Sequence, residues 1–364
     1  MHWDLGRPAT LADVASRAGV SPATVSRVLN GKVAVSRTAR ERVERAIQEL
    51  EYVVNGHARA LAAAASEVIG VIVGDMSDPF FAHIVAGVQD QTFLAHQLAL
   101  VCSTGGDPQR EIGQLEHLRR LRARGVVLVG GAIHDNAHQQ ELTRQLTGFL
   151  RRGATVVLCG RPPIPDLPGA TAITFDNTGG TMRLVEFLAG LGHRRIGYIT
   201  GPPARSTTRE RLQGFRIAAR NHDPRLVAEG AFTRESGWLA GQQLARVKDI
   251  TAIVAANDLM AAGVLAAVRA RGRSIPEQVS VAGFDDIEFC QDTNPPLTTV
   301  RLPLREAGAQ AGRIACGLDE PPPGGVVRLG AELVVRETTG RVRNDDNRND
   351  DNREDDNRDD RVRG

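Results

Sequence analysis

The sequence predicts a small all-α helix-turn-helix headpiece joined to a larger α/β domain built on parallel sheets. Two observations predict it. Between Thr10 and Asn30 runs TLADVASRAGVSPATVSRVLN, two capped amphipathic helices joined by a Gly turn. From Val68 onward, short apolar runs alternate with amphipathic stretches of helical length, the pattern of a parallel sheet covered by helices on both faces. At 364 residues the chain exceeds one ordinary core and suits two or three domains.

The first helix is capped by Thr10, with Asp13 completing a capping box, and turns Leu11, Val14, Ala15 and Ala18 to one side. Gly19 ends it. Ser21 caps the second helix, Pro22 suits a first turn whose N–H has no partner, and Val25, Val28 and Leu29 form the buried side. Pro22, Ala23, Thr24, Ser26 and Arg27 are left facing outward. A third helix from Ser36 adds Ala39, Val43, Ala46, Ile47 and Leu50 to the same core. Residues 1–66 hold nine Lys and Arg against six acids, a local excess that favours a polyanion, whereas the whole chain carries only +2.

The stretch 55–66, NGHARALAAAAS, is strongly helix-prone yet too short to be a stable helix alone in water. After it come strand candidates at Val68–Val73, Leu98–Cys102, Val126–Val129, Thr155–Leu158, Ala172–Phe175, Ile196–Thr200, Ala252–Ala255 and Val279–Phe284. Ligands of such sheets bind at the carboxyl ends of the strands. Those ends carry Phe80 and Phe81 in DMSDPFFAHI, Arg205, Thr207, Arg209 and Arg211 in GPPARSTTRERLQGF, Asn257 and Asp258 in AANDLMAAG, and Asp285 and Asp286 in VAGFDD. Polar groups converging beside aromatic surface describe a small-molecule cleft, and closely spaced arginines ask for an anionic or hydroxyl-rich partner.

Cys102, Cys159, Cys290 and Cys316 form no C-x-x-C pair and read as buried thiols of a reducing compartment. No apolar run approaches the ~20 residues of a membrane span, and MHWDLGRPAT has no signal-peptide core, so the expected location is cytoplasmic.

The segment from Thr10 to Asn55, with GVSPATVSRVLNGK, VSRTARERVERAIQELEY and Asn55, resembles the headpiece of the LacI/GalR family of transcriptional repressors. GLGHRRIGYITGP, STTRERLQGF, AANDLMA, VSVAGFDD and PPLTTVR resemble that family's effector-domain landmarks, so the likeness extends to about Arg336. The resemblance implies a two-lobed, periplasmic-binding-protein-like (type I) effector domain over 67–340, with lobe crossings near Thr171, Leu302 and Gly330. It implies a homodimer that binds double-stranded operator DNA under the control of a small molecule held between the lobes.

By the same resemblance Pro22, Ala23 and Arg27 face base edges, Ser21, Thr24, Ser26 and Asn30 hold phosphates, and Thr10 is a further DNA-binding residue. Pro22 and Ala23 have no side-chain donors, which leaves base-specific hydrogen bonding to Arg27. Asn55, Ala58 and Leu61 fall on a hinge helix whose leucine wedges into the minor groove. Phe80, Phe81, Arg161, Arg205, Thr207, Arg211, Phe232, Asn257 and Asp285 are implied to line the effector site. Family habit favours a sugar or sugar derivative; the runner-up is a purine-like ligand, although the tryptophan of purine-responsive relatives is replaced by Arg161. Two further departures are Ala62–Ala65, where relatives carry basic residues, and Gly160, where many carry an aspartate.

Other readings fit less well. A solute-binding protein needs an export signal and no headpiece. An enzyme needs a nucleophile with its base or a metal cluster, and the nearest candidates, Ser206 with Arg209 and the pair His134 and His138, lack further partners; the two histidines read as exposed. No cofactor, metal ligand set or catalytic residue is expected. The tail Arg341–Gly364 repeats Asp, Asn and Arg with seven basic and nine acidic residues and is expected to be disordered, a feature the family does not explain.

Overall fold

The computed structural model describes residues 9–30, 35–52, 66–220 and 222–342. The chain divides after Ser66 into two compact units. The hinge segment with Asn55, Ala58 and Leu61, the side chain of Asn30, and the tail beyond residue 342 lie outside the described residues.

The first unit holds α1 (Leu11–Ala18), α2 (Pro22–Asn30) and α3 (Arg37–Glu49). The Thr10 hydroxyl accepts from Asp13 N at 3.4 Å while Asp13 Oδ2 accepts from Thr10 N at 2.8 Å, so two otherwise unpaired amides are satisfied reciprocally. Gly19 ends α1 at φ +63°, a conformation that glycine reaches without steric cost. Ser21 and Ser36 cap the next two helices through Thr24 N and Ala39 N. Val14, Ala15, Ala18, Val25, Val28, Val43 and Ala46 close into one core.

The second unit carries a six-stranded parallel sheet in the order β11-β5-β4-β3-β1-β2, a four-stranded parallel sheet in the order β7-β6-β8-β9, and an antiparallel pair of β10 with β12. The first sheet contains β1 (Val68–Val73), β2 (Leu98–Ser103), β3 (Gly125–Val129), β4 (Thr155–Cys159), β5 (Thr171–Phe175) and β11 (Val326–Leu329). One face is covered by α4 (Pro79–Leu94) and α11 (Leu304–Cys316), the other by α5 (Pro108–Arg120) and α6 (Asn136–Leu150). Accordingly β3 is buried along its whole length. Helices α4 and α11 approach until backbones touch: a Cβ on Gly308 would stand 2.0 Å from Ile84 O, and one on Gly87 would stand 2.2 Å from Arg305 O.

The second sheet contains β6 (Ile196–Thr200), β7 (Val227–Glu229), β8 (Ala252–Ala255) and β9 (Ser280–Ala282), with α7 (Asn177–Gly190), α8 (Ser206–Ala218), α9 (Arg234–Leu244) and α10 (Asp258–Ala270). From β6, Tyr198 stacks on Phe215 of α8 at 4.6 Å, while Gly197 faces Leu244 of α9.

The chain passes between the lobes three times. The sequence places the first crossing near Thr171; in the structure Thr171 opens β5 inside the first sheet, and the chain leaves at Asp176, which caps α7 through Gly179 N. The other two fall between β10 (Thr299–Arg301) and α11, and between β11 and β12 (Glu332–Val334). The strand expected at Val279–Phe284 is shorter, Ser280–Ala282, because from Gly283 on the backbone bonds to β10 and the residue before it instead, Gly283 N to Thr298 O at 2.9 Å and Asp285 N to Val300 O at 2.8 Å.

Most helices start in the same way. Strand exits lead to Asp78, Asp107, Asp135, Asp176 or Asn257, whose side chains accept from the first amides of the next helix. Capping chemistry thus concentrates carboxylates at the carboxyl edge of the first sheet, whereas the second sheet uses Thr233 and Asn257 for the same purpose.

Candidate functional site

The facing edges of the two sheets enclose a cleft of about 730 Å³. The first lobe lines it with the loops after β1, β2 and β3 and with Arg161 after β4; the second lobe contributes the residues after β6, β7, β8 and β9. Phe80, Phe81, Arg161, Arg205, Thr207, Arg211, Phe232, Asn257 and Asp285 all border this one cavity.

Their side chains divide into apolar wall and engaged polar groups. Phe80 meets Phe81 edge to face at 5.1 Å and Phe175 at 6.5 Å. Phe232 lies opposite at φ +61°, its ring against Gly201, where a Cβ would stand 2.1 Å away. Asn257 caps α10 through Met260 N at 3.0 Å and donates to Phe232 O at 3.2 Å, which fixes that loop.

Each arginine of the interior is already bonded. Arg161 donates from Nε to Gly130 O at 2.8 Å and makes a two-pronged contact with Glu111 at 3.0 and 2.5 Å, both side chains being buried. Arg211 donates to Asn177 Oδ1 at 2.9 Å, to Ala256 O and to Asp285 Oδ1 at 2.8 Å, and lies 3.9 Å from the centre of the Phe284 ring. Arg205 donates across the cleft, to Gly106 O at 3.0 Å and Gly131 O at 3.1 Å.

That last pair belongs to a latch between the lobes. Ile133 and Arg205 form an antiparallel bridge, His134 N donates to Ala204 O at 2.7 Å, Ser206 N to Ala132 O at 2.9 Å, and Ala132 N to the Ser206 hydroxyl at 3.0 Å. The enzyme reading of Ser206 therefore meets an acceptor role, and Arg209 points to Pro203 O instead.

The acids of the cleft are Asp75, Asp78, Asp107, Glu111 and Asp285. Burial pushes the Asp285 carboxyl upward and the Arg211 guanidinium pulls it back toward the charged form, with Asp258 and Asp78 adding like charge. Burial also raises Asp78, opposed by its hydrogen bond from Phe80 N. At Glu111 burial is outweighed by Arg161 and His138, which hold the carboxyl below its usual range.

Sequence reasoning did not single out Glu111, which the structure buries against Arg161 and His138. His138, read as exposed, is buried with Nε2 3.3 Å from Glu111 Oε1; His134 is exposed. Asp258, weighed as a helix cap, instead accepts from the Thr299 hydroxyl at 2.6 Å and Ile287 N at 3.0 Å, and does not border the cleft. Gly160, at φ +77°, leaves 3.5 Å between a would-be Cβ and the Phe175 ring. A carboxylate reaches this side of the cleft from α5 instead. Among the described residues no group of His, Cys, Asp and Glu is arranged to hold a metal, and the four cysteines are free thiols.

On the headpiece Ser21, Pro22, Ala23 and Arg27 are exposed and Thr24 and Ser26 half-buried, with the Ser21 and Thr24 hydroxyls 2.9 Å apart. Thr10 is exposed beside them in sequence at the cap of α1. One helix of the unit thus presents a polar face carrying an unburied guanidinium.

Comparison with known proteins follows this division. The model of bacterial regulatory proteins of the lacI family matches residues 10–55, and that of the periplasmic binding protein-like domain matches 185–339. The HTH-type transcriptional regulator CelR of Thermobifida fusca is 34% identical over 348 residues, 91% of this chain and 98% of that protein. Among solved structures, a CelR–cellobiose complex covers 91% of this chain and 99% of its own, at 32% identity and TM-score 0.66. The lac repressor dimer bound to operator and the anti-inducer ONPF covers 92% and 100%, at 28% identity and TM-score 0.77.

Proposed function

Because the chain belongs to the LacI family of bacterial regulatory proteins, and so is a sequence-specific DNA-binding regulator of transcription, we propose that it is a repressor controlled by a neutral, hydroxyl-rich sugar in the cleft. The observation that carries this reading is the state of the arginines. Arg161, Arg205 and Arg211 are engaged by protein acceptors, which leaves Asp75, Asp78 and Asp285 as unsaturated acceptors for ligand hydroxyls. A phosphate would meet carboxylates rather than free guanidinium groups, Arg234 at the rim excepted. Phe80, Phe81 and Phe232 offer faces to sugar C–H bonds, and the volume lies within the about 300–1,000 Å³ usual for ligand clefts. The CelR structure contains cellobiose, a sugar of this class.

Arg27 reads a base and Ser21, Thr24 and Ser26 hold phosphates, supported by the exposure of Arg27 on α2 and of Ser21 at its cap, with Thr24 and Ser26 half-buried between them. The working unit is a cytoplasmic homodimer. Support comes from Phe93, Leu94 and Leu98, exposed by 80%, 67% and 62% along the end of α4 and the edge strand β2, an apolar surface suited to a second copy. Ligand enters between latched lobes and shifts the balance of their closure, which changes how the two hinge segments meet DNA.

Thermal unfolding against sugars, sugar phosphates, nucleosides and nucleobases tests the reading, since ligand at about 100 times its Kd adds about 2.7 kcal/mol. Stabilisation by neutral sugars alone supports it; stabilisation by phosphorylated sugars or purines alone refutes it.

A further inference from the structure

The edge of the first sheet opposite the cleft carries a charge pattern that effector binding does not use. Two loops abut there. Arg124 N donates to Val68 O at 2.8 Å, Thr155 N to Arg124 O at 3.0 Å, and Arg152 Nη1 to Arg119 O at 3.0 Å. Residues 117–124 and 148–154 contain Arg119, Arg120, Arg122, Arg124, Arg151 and Arg152 and no acid. Five of the six are exposed, Arg119 being half-buried. The carboxylates around them are these: Glu116 lies 3.9 Å from Arg120, Glu141 feels the charge of Arg119 but is bonded to Arg144 at 2.5 Å, Glu67 is exposed next to Val68, and Asp319 is bonded to Arg313 at 2.7 Å, with Glu320 beside it.

A structural account explains part of this. Arg119 and Arg120 fall in the last turn of α5, where cations suit the helix carbonyls. It does not explain Arg122, Arg124, Arg151 and Arg152 on the two abutting loops, of which Arg152 lies close to both Arg119 and Arg122. Arg152 already sits over the Phe149 ring at 5.3 Å, and burial together with Arg119 and Arg122 depresses its guanidinium. Like charges held this close favour a polyanion.

We propose that this arginine edge binds the phosphate backbone of duplex DNA flanking the operator. Chain connectivity selects that polyanion. The headpiece is tethered at this same edge, because β1 begins at Val68 and only thirteen residues, 53–65, separate the described parts of the chain there. Such a linker spans at most ~45 Å even fully extended, so bound DNA stays within reach of the edge. The contacts carry no base readout and add affinity in proportion to phosphates neutralised.

The test uses the full chain and an operator recovered from random-sequence DNA, as a core duplex of about 20 bp and as the same core with long flanks. Fluorescence anisotropy across a salt series compares the wild-type chain with the double variants Arg124→Gln/Arg151→Gln and Arg120→Gln/Arg151→Gln, each checked for an unchanged melting temperature. The wild-type chain binds the flanked duplex several-fold tighter and with a steeper salt dependence, and every phosphate that a variant no longer neutralises lowers the log–log slope by about 0.9 on the flanked duplex alone. Equal wild-type affinity for both duplexes, or equal losses on both, overturns the proposal. So does a deficit that vanishes when residues 343–364 are removed, which would make the acidic tail the partner. No effector enters this comparison, so failure of the sugar reading leaves its outcome unaffected.

Discussion

Arg211 and Asp285 form a buried ion pair, Nη2 to Oδ1 at 2.8 Å, that joins the first turns of α8 to the bend after β9 on the floor of the cleft. Neither is free to serve the ligand alone. A ligand hydroxyl donating to Asp285, as proposed, would meet an acceptor already oriented by its cation.

Asp285→Ala should abolish the thermal shift given by the effector and leave operator affinity intact. It also leaves a buried guanidinium unpaired, which costs about 3–5 kcal/mol of stability. Asp285→Asn, which keeps the volume, should lose the ligand response with a smaller stability loss. A full ligand shift in either variant would refute the floor of the cleft as described.

Arg161→Gln tests the second buried pair through pH. In the wild-type chain Glu111 is held below the usual carboxylate range, so its contribution is present above the unfolded value of about 4.3 and is lost as pH falls below it. In the variant burial is no longer outweighed and the folded-state value rises. The variant then binds more protons folded than unfolded, and its stability declines as pH climbs. The gap in melting temperature between the two proteins should widen from pH 5 to pH 8; a gap independent of pH would contradict the pairing.

Arg205→Ala should release the latch. Hydrogen bonds from charged donors contribute about 1.5–3 kcal/mol each, and Arg205 makes two across the cleft. Small-angle scattering of the ligand-free variant should give a larger radius of gyration, which saturating ligand reverses, and ligand affinity should fall about tenfold or more, each factor of ten corresponding to 1.4 kcal/mol. Unchanged dimensions and affinity would remove Arg205 from any role in closure.

Arg27→Ala should cost about 1–3 kcal/mol on the selected operator and far less on unrelated DNA. Equal losses on both would assign Arg27 to the backbone.

The legible parts of the sequence were those with local causes. Thr10, Gly19 and Ser21 act within a turn of their own position, so the headpiece helices could be bounded from caps alone. Val68–Val73 and Ile196–Thr200 are uninterrupted apolar runs and form strands with those limits. The short strands β7, β10, β11 and β12 have three or four residues each and little periodicity, because they become strands by pairing at sheet edges. In the cleft, strand exits flagged Phe80, Arg211 and Asp285 together with their neighbours. Glu111 was invisible, since its partners Arg161 and His138 stand 50 and 27 residues away along the chain. The engagement of each arginine, on which the proposed ligand charge rests, is likewise a tertiary fact.

The order in which the first lobe is assembled has a consequence for synthesis. Its α11 packs backbone to backbone on α4, and its edge strand β11 pairs with β5, yet both come from residues 304–329. A nascent chain emerging from the ribosome has the headpiece early but must hold β1 to β5 without their cover until the second lobe has been translated. Messages truncated before β11 would yield polypeptides able to touch DNA with nothing to regulate them and an open sheet edge to aggregate through.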